Sequence, residues 1–351
     1  MRIFHVITLS SVGGAQSVVV NLANAQVESN DVWVISSASG EAWKALKPEV
    51  KVIKISELRR SIGWRDIIVL FKLFYYRFKY RPDIVHLHSS KIGALGRMVF
   101  PTQKVVYTVH GFDSVRIANR SFLFVEKVLK SLCAKIVGVS MYDVKNLQAE
   151  GISTNVACVY NGIEDCLLER EGNMDKSAKE QLVQIRNTYE KVIMCIARDD
   201  APKRIDLFIK VAELLPQYAF VWVGNLKEYQ HSENVYLMGQ IPLAWQLLKF
   251  ADLFILMSDF EGLPMSIIEA LSFGKPVVAS KVGGITELLE GECGFAVNND
   301  VHEFEENILK IFQNEENYKQ LALNARKVYL ERFTIEHMIK GYNNIYQEIK
   351  K

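Results

Sequence analysis

Two glutamates separated by seven residues stand in the segment Glu261-Gly-Leu-Pro-Met-Ser-Ile-Ile-Glu269, directly after an apolar run at 251–257. Pro264 suits the first turn of a helix and Gly274 its C-terminal cap, so the spacing predicts a helix from about Pro264 to Phe273. A helix leaving a strand in this way directs its free N–H groups and positive dipole end out of the carboxyl edge of a sheet, where a diphosphate is stabilised. Glu261 would then stand on the loop and Glu269 about one and a half turns inside the helix. Two carboxylates flanking a phosphate site accept hydrogen bonds from sugar and ribose hydroxyls.

A second cluster follows another apolar run, in Ile196-Ala-Arg198-Asp-Asp-Ala-Pro-Lys203. Arg198 can grip phosphate oxygens with two parallel hydrogen bonds, and Lys203 adds a compact charge. The competing reading is a surface pair neutralised by Asp199 or Asp200. No Asp-x-Asp motif occurs anywhere, so no divalent cation and no other cofactor is expected; two cations and a helix dipole would do the work of the metal. Gly13-Gly14 lies between the first strand and first helix and lets backbone amides approach a ligand closely. His110 ends the run Tyr107-Thr-Val-His110-Gly-Phe. His86 and His88 alternate along a strand and suit a structural role, and Ser89 to Lys91 offer acceptor-side polar groups.

The elements that must position these residues alternate between short β-rich runs and longer helical patterns. Seven strands are expected at 2–8, 32–36, 50–55, 84–88, 105–110, 136–140 and 156–160, and six more at 192–197, 220–224, 235–238, 253–257, 276–279 and 294–297. Repeated strand–helix alternation implies parallel sheets with right-handed crossovers, so the fold class is α/β with two Rossmann-like domains. The polar stretch 164–190 separates the two sets, and 301–351 reads as helix throughout.

The 351 residues comfortably fill two such domains, and 49% apolar with 23% charged composition is that of a globular protein. The chain opens on an apolar strand pattern and has no transmembrane-length apolar stretch, so a cytoplasmic location is expected. Five scattered cysteines argue against a disulfide framework or a structural zinc. Net charge is only +2, but residues 1–150 carry 21 Lys and Arg against 11 Asp and Glu. That basic half points to an anionic surface or a phosphorylated acceptor, and no nucleic-acid-binding motif accompanies it. Within it Arg65, Lys72 and Lys79 recur every seven residues, a basic stripe on a helix that also carries Ile67, Leu70, Phe71, Phe74, Tyr75 and Phe78. The alternatives are a helix lying in a membrane interface or a mostly buried helix with one solvated edge.

The paired glutamates in Glu-Gly-x-Pro, followed by Glu269-Ala-Leu-Ser-Phe-Gly-Lys-Pro-Val-Val-Ala-Ser280, resemble the signature of glycosyltransferase family 4. Gly283-Gly284-Ile-Thr-Glu287 is similar to that family's next Gly-Gly loop, and the likeness runs from Gly13-Gly14 to the C-terminal helix. The resemblance implies a GT-B fold, two Rossmann-like domains facing each other across a cleft. Residues 1–165 would bind the acceptor and 166–330 the nucleotide-sugar donor, with 331–351 a helix crossing back to the first domain. It implies transfer with retention of anomeric configuration from a nucleotide diphosphate sugar, a UDP-sugar favoured. His110, Arg198, Lys203 and Glu261 would be catalytic. Gly14, Arg198, Lys203, Glu261, Gly262, Leu263, Pro264 and Glu269 would bind the donor. Segments 86–96 and 110–112 look most like bacterial capsular and exopolysaccharide members, which implies a lipid-linked glycan acceptor and a peripheral position at the inner face of the cell membrane. The chain departs from the family pattern at Gln16, where glutamate is usual, and at Arg204, where glycine is usual. An epimerase of the same fold and a non-catalytic nucleotide-sugar-binding protein are the competing functions.

Overall fold

The computed structural model describes all residues except 39, 169–173 and 351. Residues 169–173 of the 164–190 segment thus lie outside the described residues. The chain divides into two compact units, Met1–Gly162 with Ile335–Lys351, and Ile163–Thr334.

The first unit holds β1 (Arg2–Ile7), β2 (Asp31–Ser37), β3 (Lys51–Ile55), β4 (Ile84–His88), β5 (Val105–Val109), β6 (Lys135–Gly138) and β7 (Val156–Cys158). They form one parallel sheet in the order β3-β2-β1-β4-β5-β6-β7. The second unit holds β8 (Val192–Ile196), β9 (Ala219–Val223), β10 (Val235–Leu237), β11 (Leu253–Leu256), β12 (Val277–Ser280) and β13 (Gly294–Val297). These are parallel as well, in the order β10-β9-β8-β11-β12-β13. All thirteen strands stand where the sequence pattern puts them. β6 stops two residues early because Ser140 caps the helix Met141–Ala149, its Oγ accepting from Asp143 N at 3.1 Å.

Strand order reverses between β1 and β4 in one sheet and between β8 and β11 in the other. Ligands of doubly wound sheets bind outside the carboxyl ends of the strands at such reversals. The central strands are buried on both faces, so apolar residues fill them almost without interruption. His5, His86, His88 and Thr108, each fully buried on β1, β4 and β5, are therefore the exceptions that need partners.

The final helix, Ile335–Lys350, belongs to the first unit and buries Met338, Tyr342, Ile345 and Tyr346. Tyr342 and Tyr346 are one turn apart on a single face, which lets both hydroxyls reach the same patch of sheet. Among the described residues no helix is long and apolar enough to cross a membrane. The five cysteines are free thiols.

Candidate active site

At the carboxyl edge of the second sheet, the segments after β8 and β11 are stitched together by backbone. Lys203 and Ser258 form an isolated antiparallel bridge. Asp259 N donates to Pro202 O and Arg204 N to Met257 O, each at 3.0 Å. That bridge sets Lys203 Nζ against Glu261 Oε1 as an ion pair, and the same carboxylate oxygen accepts from Ser258 Oγ at 2.6 Å. The side chains are largely enclosed, with 18% and 12% of their surfaces exposed. Ser258 is itself fixed: its N–H donates to Ser280 Oγ at 2.9 Å and its carbonyl accepts from Asn299 Nδ2 at 2.9 Å. Lys203 is thus paired with Glu261, and not with either neighbouring aspartate. Asp199 accepts instead from Leu226 N, Lys227 N and the Tyr229 hydroxyl, and Asp200 lies 3.7 Å from Lys227. Arg198 is exposed and has no ion pair among the described residues. Its guanidinium is an open cation at this edge.

The glutamate loop is shaped by the Gly-Gly turn beside it. Gly283 has φ +57°, and a Cβ there would come 1.9 Å from Glu261 O, so no side chain fits. Gly284 N donates to Gly262 O at 2.8 Å, and Leu263 is buried beneath. The helix runs Met265–Ser272, one residue shorter at each end than expected. Pro264 is its N-cap, with ψ 124°, and not a first-turn residue. The N-cap Pro264 supplies no side-chain hydrogen bond to the first-turn amides, an arrangement that suits an anion. Ile267, Ile268 and Leu271 pack inward, and Gly274, at φ +64°, closes the helix with Gly274 N to Leu271 O and Lys275 N to Ala270 O, both 2.9 Å. Glu269 is half-buried within this helix. Arg204, in place of the usual glycine, has φ −107° and pairs with Asp206 and Asp259, so the position needs no glycine.

At the carboxyl edge of the first sheet, Gly14 begins the helix Gly14–Gln26 and is exposed. Gln16, in place of the usual glutamate, closes the preceding turn by donating to Leu9 O at 3.0 Å. His110 is half-buried just beyond β5, and its Nε2 meets His88 Nδ1 at 3.1 Å. His88 Nε2 meets His5 Nδ1 at 3.1 Å, and His5 Nε2 meets Gln26 Oε1 at 2.8 Å. His86 is held by the Tyr346 hydroxyl on Nδ1 and Thr108 Oγ1 on Nε2, both at 2.7 Å, with Tyr342 on Thr108 at 3.0 Å. Burial lowers the pKa of His5 and of His110 to about 4, and that of His86 and His88 well below the usual value, so all four rings are neutral. His5, His86 and His88 bring one potential metal-ligand atom each within 4.8 Å of one another. All six of their ring nitrogens are already engaged by the partners just named. Ser89, at φ 116°, is locked to Thr8 through their hydroxyls at 2.7 Å. Lys91 is not an acceptor-side group: it is buried against Asp66, with Arg59 O at 2.9 Å.

The basic helix runs Arg65–Tyr80 and is not mostly buried: only Val69 and Leu73 are. Lys72 pairs with Glu57 at 2.5 Å and Arg65 is half-buried, so Lys79 alone of the stripe is exposed. The large apolar residues are what this helix presents: Phe71 is 71% exposed, and Ile67, Phe74, Tyr75 and Phe78 are exposed with it, as is the preceding Trp64. Ser258, His5, Gln26 and the two tyrosines were not legible as site residues, because no spacing within the sequence joins them to the motifs they support.

Two doubly wound parallel units with these edges define the GT-B class of fold. Two family models match the chain in succession, Glycosyltransferase Family 4 over residues 12–165 and Glycosyl transferases group 1 over 177–328. The chain belongs to these glycosyltransferases and is an enzyme of that class. It is 29% identical over 355 residues to the O-antigen biosynthesis glycosyltransferase WbnH of Escherichia coli, covering 97% of both chains. It is 27% identical to the UDP-Gal:alpha-D-GlcNAc-diphosphoundecaprenol alpha-1,3-galactosyltransferase of the same organism, covering 99% of this chain and 96% of that one. Anabaena Alr3699/HepE, solved in complex with UDP-glucose, shares the fold with a TM-score of 0.82 at 19% identity, over 99% of this chain and all of that one.

Proposed function

We propose that the chain transfers a sugar from a nucleotide diphosphate donor, a UDP-sugar by preference, to a hydroxyl of a lipid-linked glycan, with retention of anomeric configuration. The observation that carries this reading is the edge built from Arg198, Lys203, Ser258, Glu261 and the uncapped helix start at Pro264. It offers two cations and the amides of a helix start to a leaving diphosphate, and the Glu261 carboxylate to a hydroxyl. In this reading Arg198, Lys203 and the amides after Leu263 take the diphosphate, Glu269 holds the ribose, and Glu261 holds the transferred sugar. Gly14 and His110 of the first unit act on the donor as well, and that unit binds the acceptor. The donor phosphate takes the proton of the acceptor hydroxyl, and no metal takes part. Relatives named for O-antigen synthesis and for a diphosphoundecaprenol acceptor favour a lipid-linked substrate here.

A lipid-linked acceptor is met at a membrane, and the exposed aromatic face of the helix Arg65–Tyr80 supports docking there. With Lys72 engaged by Glu57, insertion of Phe71 and Phe78 contributes more than the basic stripe. Sedimentation with anionic vesicles should fall sharply in a Phe71→Ser/Phe78→Ser variant, and equal sedimentation of variant and parent would reject the docking face. Anomeric analysis of the product tests retention, and inversion would reject it.

A further inference from the structure

The hydrogen bonds that end on His110 have a direction. A neutral imidazole donates from one nitrogen and accepts at the other, whereas a glutamine carbonyl oxygen only accepts. His5 Nε2 therefore donates to Gln26 Oε1, leaving His5 Nδ1 to accept from His88 Nε2, and His88 Nδ1 to accept from His110 Nε2. The chain of four residues fixes the proton of His110 on Nε2. His110 Nδ1 keeps its lone pair and has no partner among the described residues. Gln26, His5 and His88 are buried within a sheet and helix where apolar residues would avoid all cost of desolvation. A core position kept for packing alone gives no reason for this row of polar groups to terminate at the carboxyl edge of β5.

We propose that Gln26, His5 and His88 are positioning residues for sugar transfer, a relay through the first sheet that holds His110 in one tautomer with Nδ1 as hydrogen-bond acceptor for a substrate hydroxyl. The proposal rests on the reading of His110 as a substrate-facing residue. Without the relay, His110 divides between two tautomers, one of which turns an N–H toward the hydroxyl that must be bound.

The test uses the full chain labelled with [15N]histidine, and ring 15N–1H correlation spectra in which His110 is identified by its loss in His110→Asn. The parent protein should show His110 protonated on Nε2 alone, a measurement that needs no variant to fold. Gln26→Met keeps the side-chain length and removes the terminal acceptor. It should give His110 a mixed tautomer signal and lower kcat about tenfold, the scale of one hydrogen bond, with donor KM changed less than about twofold. A parent His110 protonated on Nδ1, or a folded Gln26→Met with parental kcat while His110→Asn is inactive, would overturn the relay alone. Parental turnover in His110→Asn would overturn the reading of His110 itself and the relay with it.

Discussion

Replacing Lys203 separates what the ion pair does for the fold from what it does for the reaction. Lys203→Met keeps the aliphatic stem and removes the charge, leaving Glu261 with Ser258 Oγ as its remaining donor at 2.6 Å and only 12% of its side chain exposed. A partly enclosed carboxylate deprived of its cation, yet still holding one hydroxyl, costs about 2 kcal/mol, below the cost of a fully buried orphan charge. For a unit of this size, that is a fall in Tm of about 4–8 °C. Turnover should fall on the order of 10²-fold or more, because the leaving diphosphate loses a preorganised cation. The double variant Lys203→Met/Glu261→Gln carries no orphan charge, since glutamine Oε1 can still accept from Ser258. Its Tm should return to within about 1–2 °C of the parent, while its turnover stays low. Differential scanning fluorimetry and initial rates at saturating acceptor read the two effects on the same samples. Recovery of turnover together with Tm in the double variant would refute the reasoning, because it would make the pair a structural tie only.

Glu269→Gln should raise the donor KM more than Glu261→Gln does, since a ribose contact is a binding contact and the transferred sugar changes in the transition state; equal effects on KM and kcat would leave those roles undivided. Initial rates should survive dialysis against EDTA, and activity lost to the chelator and restored by magnesium would show that Arg198 and Lys203 do not replace a metal. Stability should fall with acid before the carboxylates titrate. The four clustered histidines have folded pKa values lowered, to about 4 for His5 and His110, from an unfolded value of about 6.5. The unfolded chain therefore binds protons first, and their contribution is complete above pH 6.5 and lost as pH falls toward 4, up to about 1.4 kcal/mol per pH unit for each ring. Urea midpoints at pH 7.5 and 5 measure this, and identical midpoints would contradict the neutral, buried assignment.

Much of this architecture is written locally. Strand positions follow from apolar runs bounded by turn residues, and Gly274 and Pro264 bracket the helix that follows Glu261 to within one residue. The displaced end has a simple cause: Pro264 takes an extended ψ of 124°, so the helix begins after it. Contacts between distant segments are another matter. The bridge between Lys203 and Ser258 depends on β8 and β11 being neighbours, which no spacing in the chain reports. The helix Arg65–Tyr80 shows a different limit. Its apolar residues lie on more than one face, and hydrophobicity alone does not say which face meets the sheet. Val69 and Leu73 take the core side, and Phe71, Phe74 and Phe78 are left outside. The histidine relay was hidden for the same reason as the bridge, since His5, His88 and His110 meet only through the β1-β4-β5 order.

The most direct test of the enzyme's chemistry is an assay of nucleoside diphosphate release from a panel of nucleotide sugars, with and without a polyprenyl-diphosphate-linked sugar, followed by mass analysis of the lipid. A glycosyltransferase with the donor edge described should release the diphosphate only when the acceptor is present, add one sugar mass to the lipid, and lose both signals in Arg198→Ala and Lys203→Met. Conversion of the sugar nucleotide in the absence of any acceptor, or a lipid unchanged in mass with every donor that binds, would contradict it.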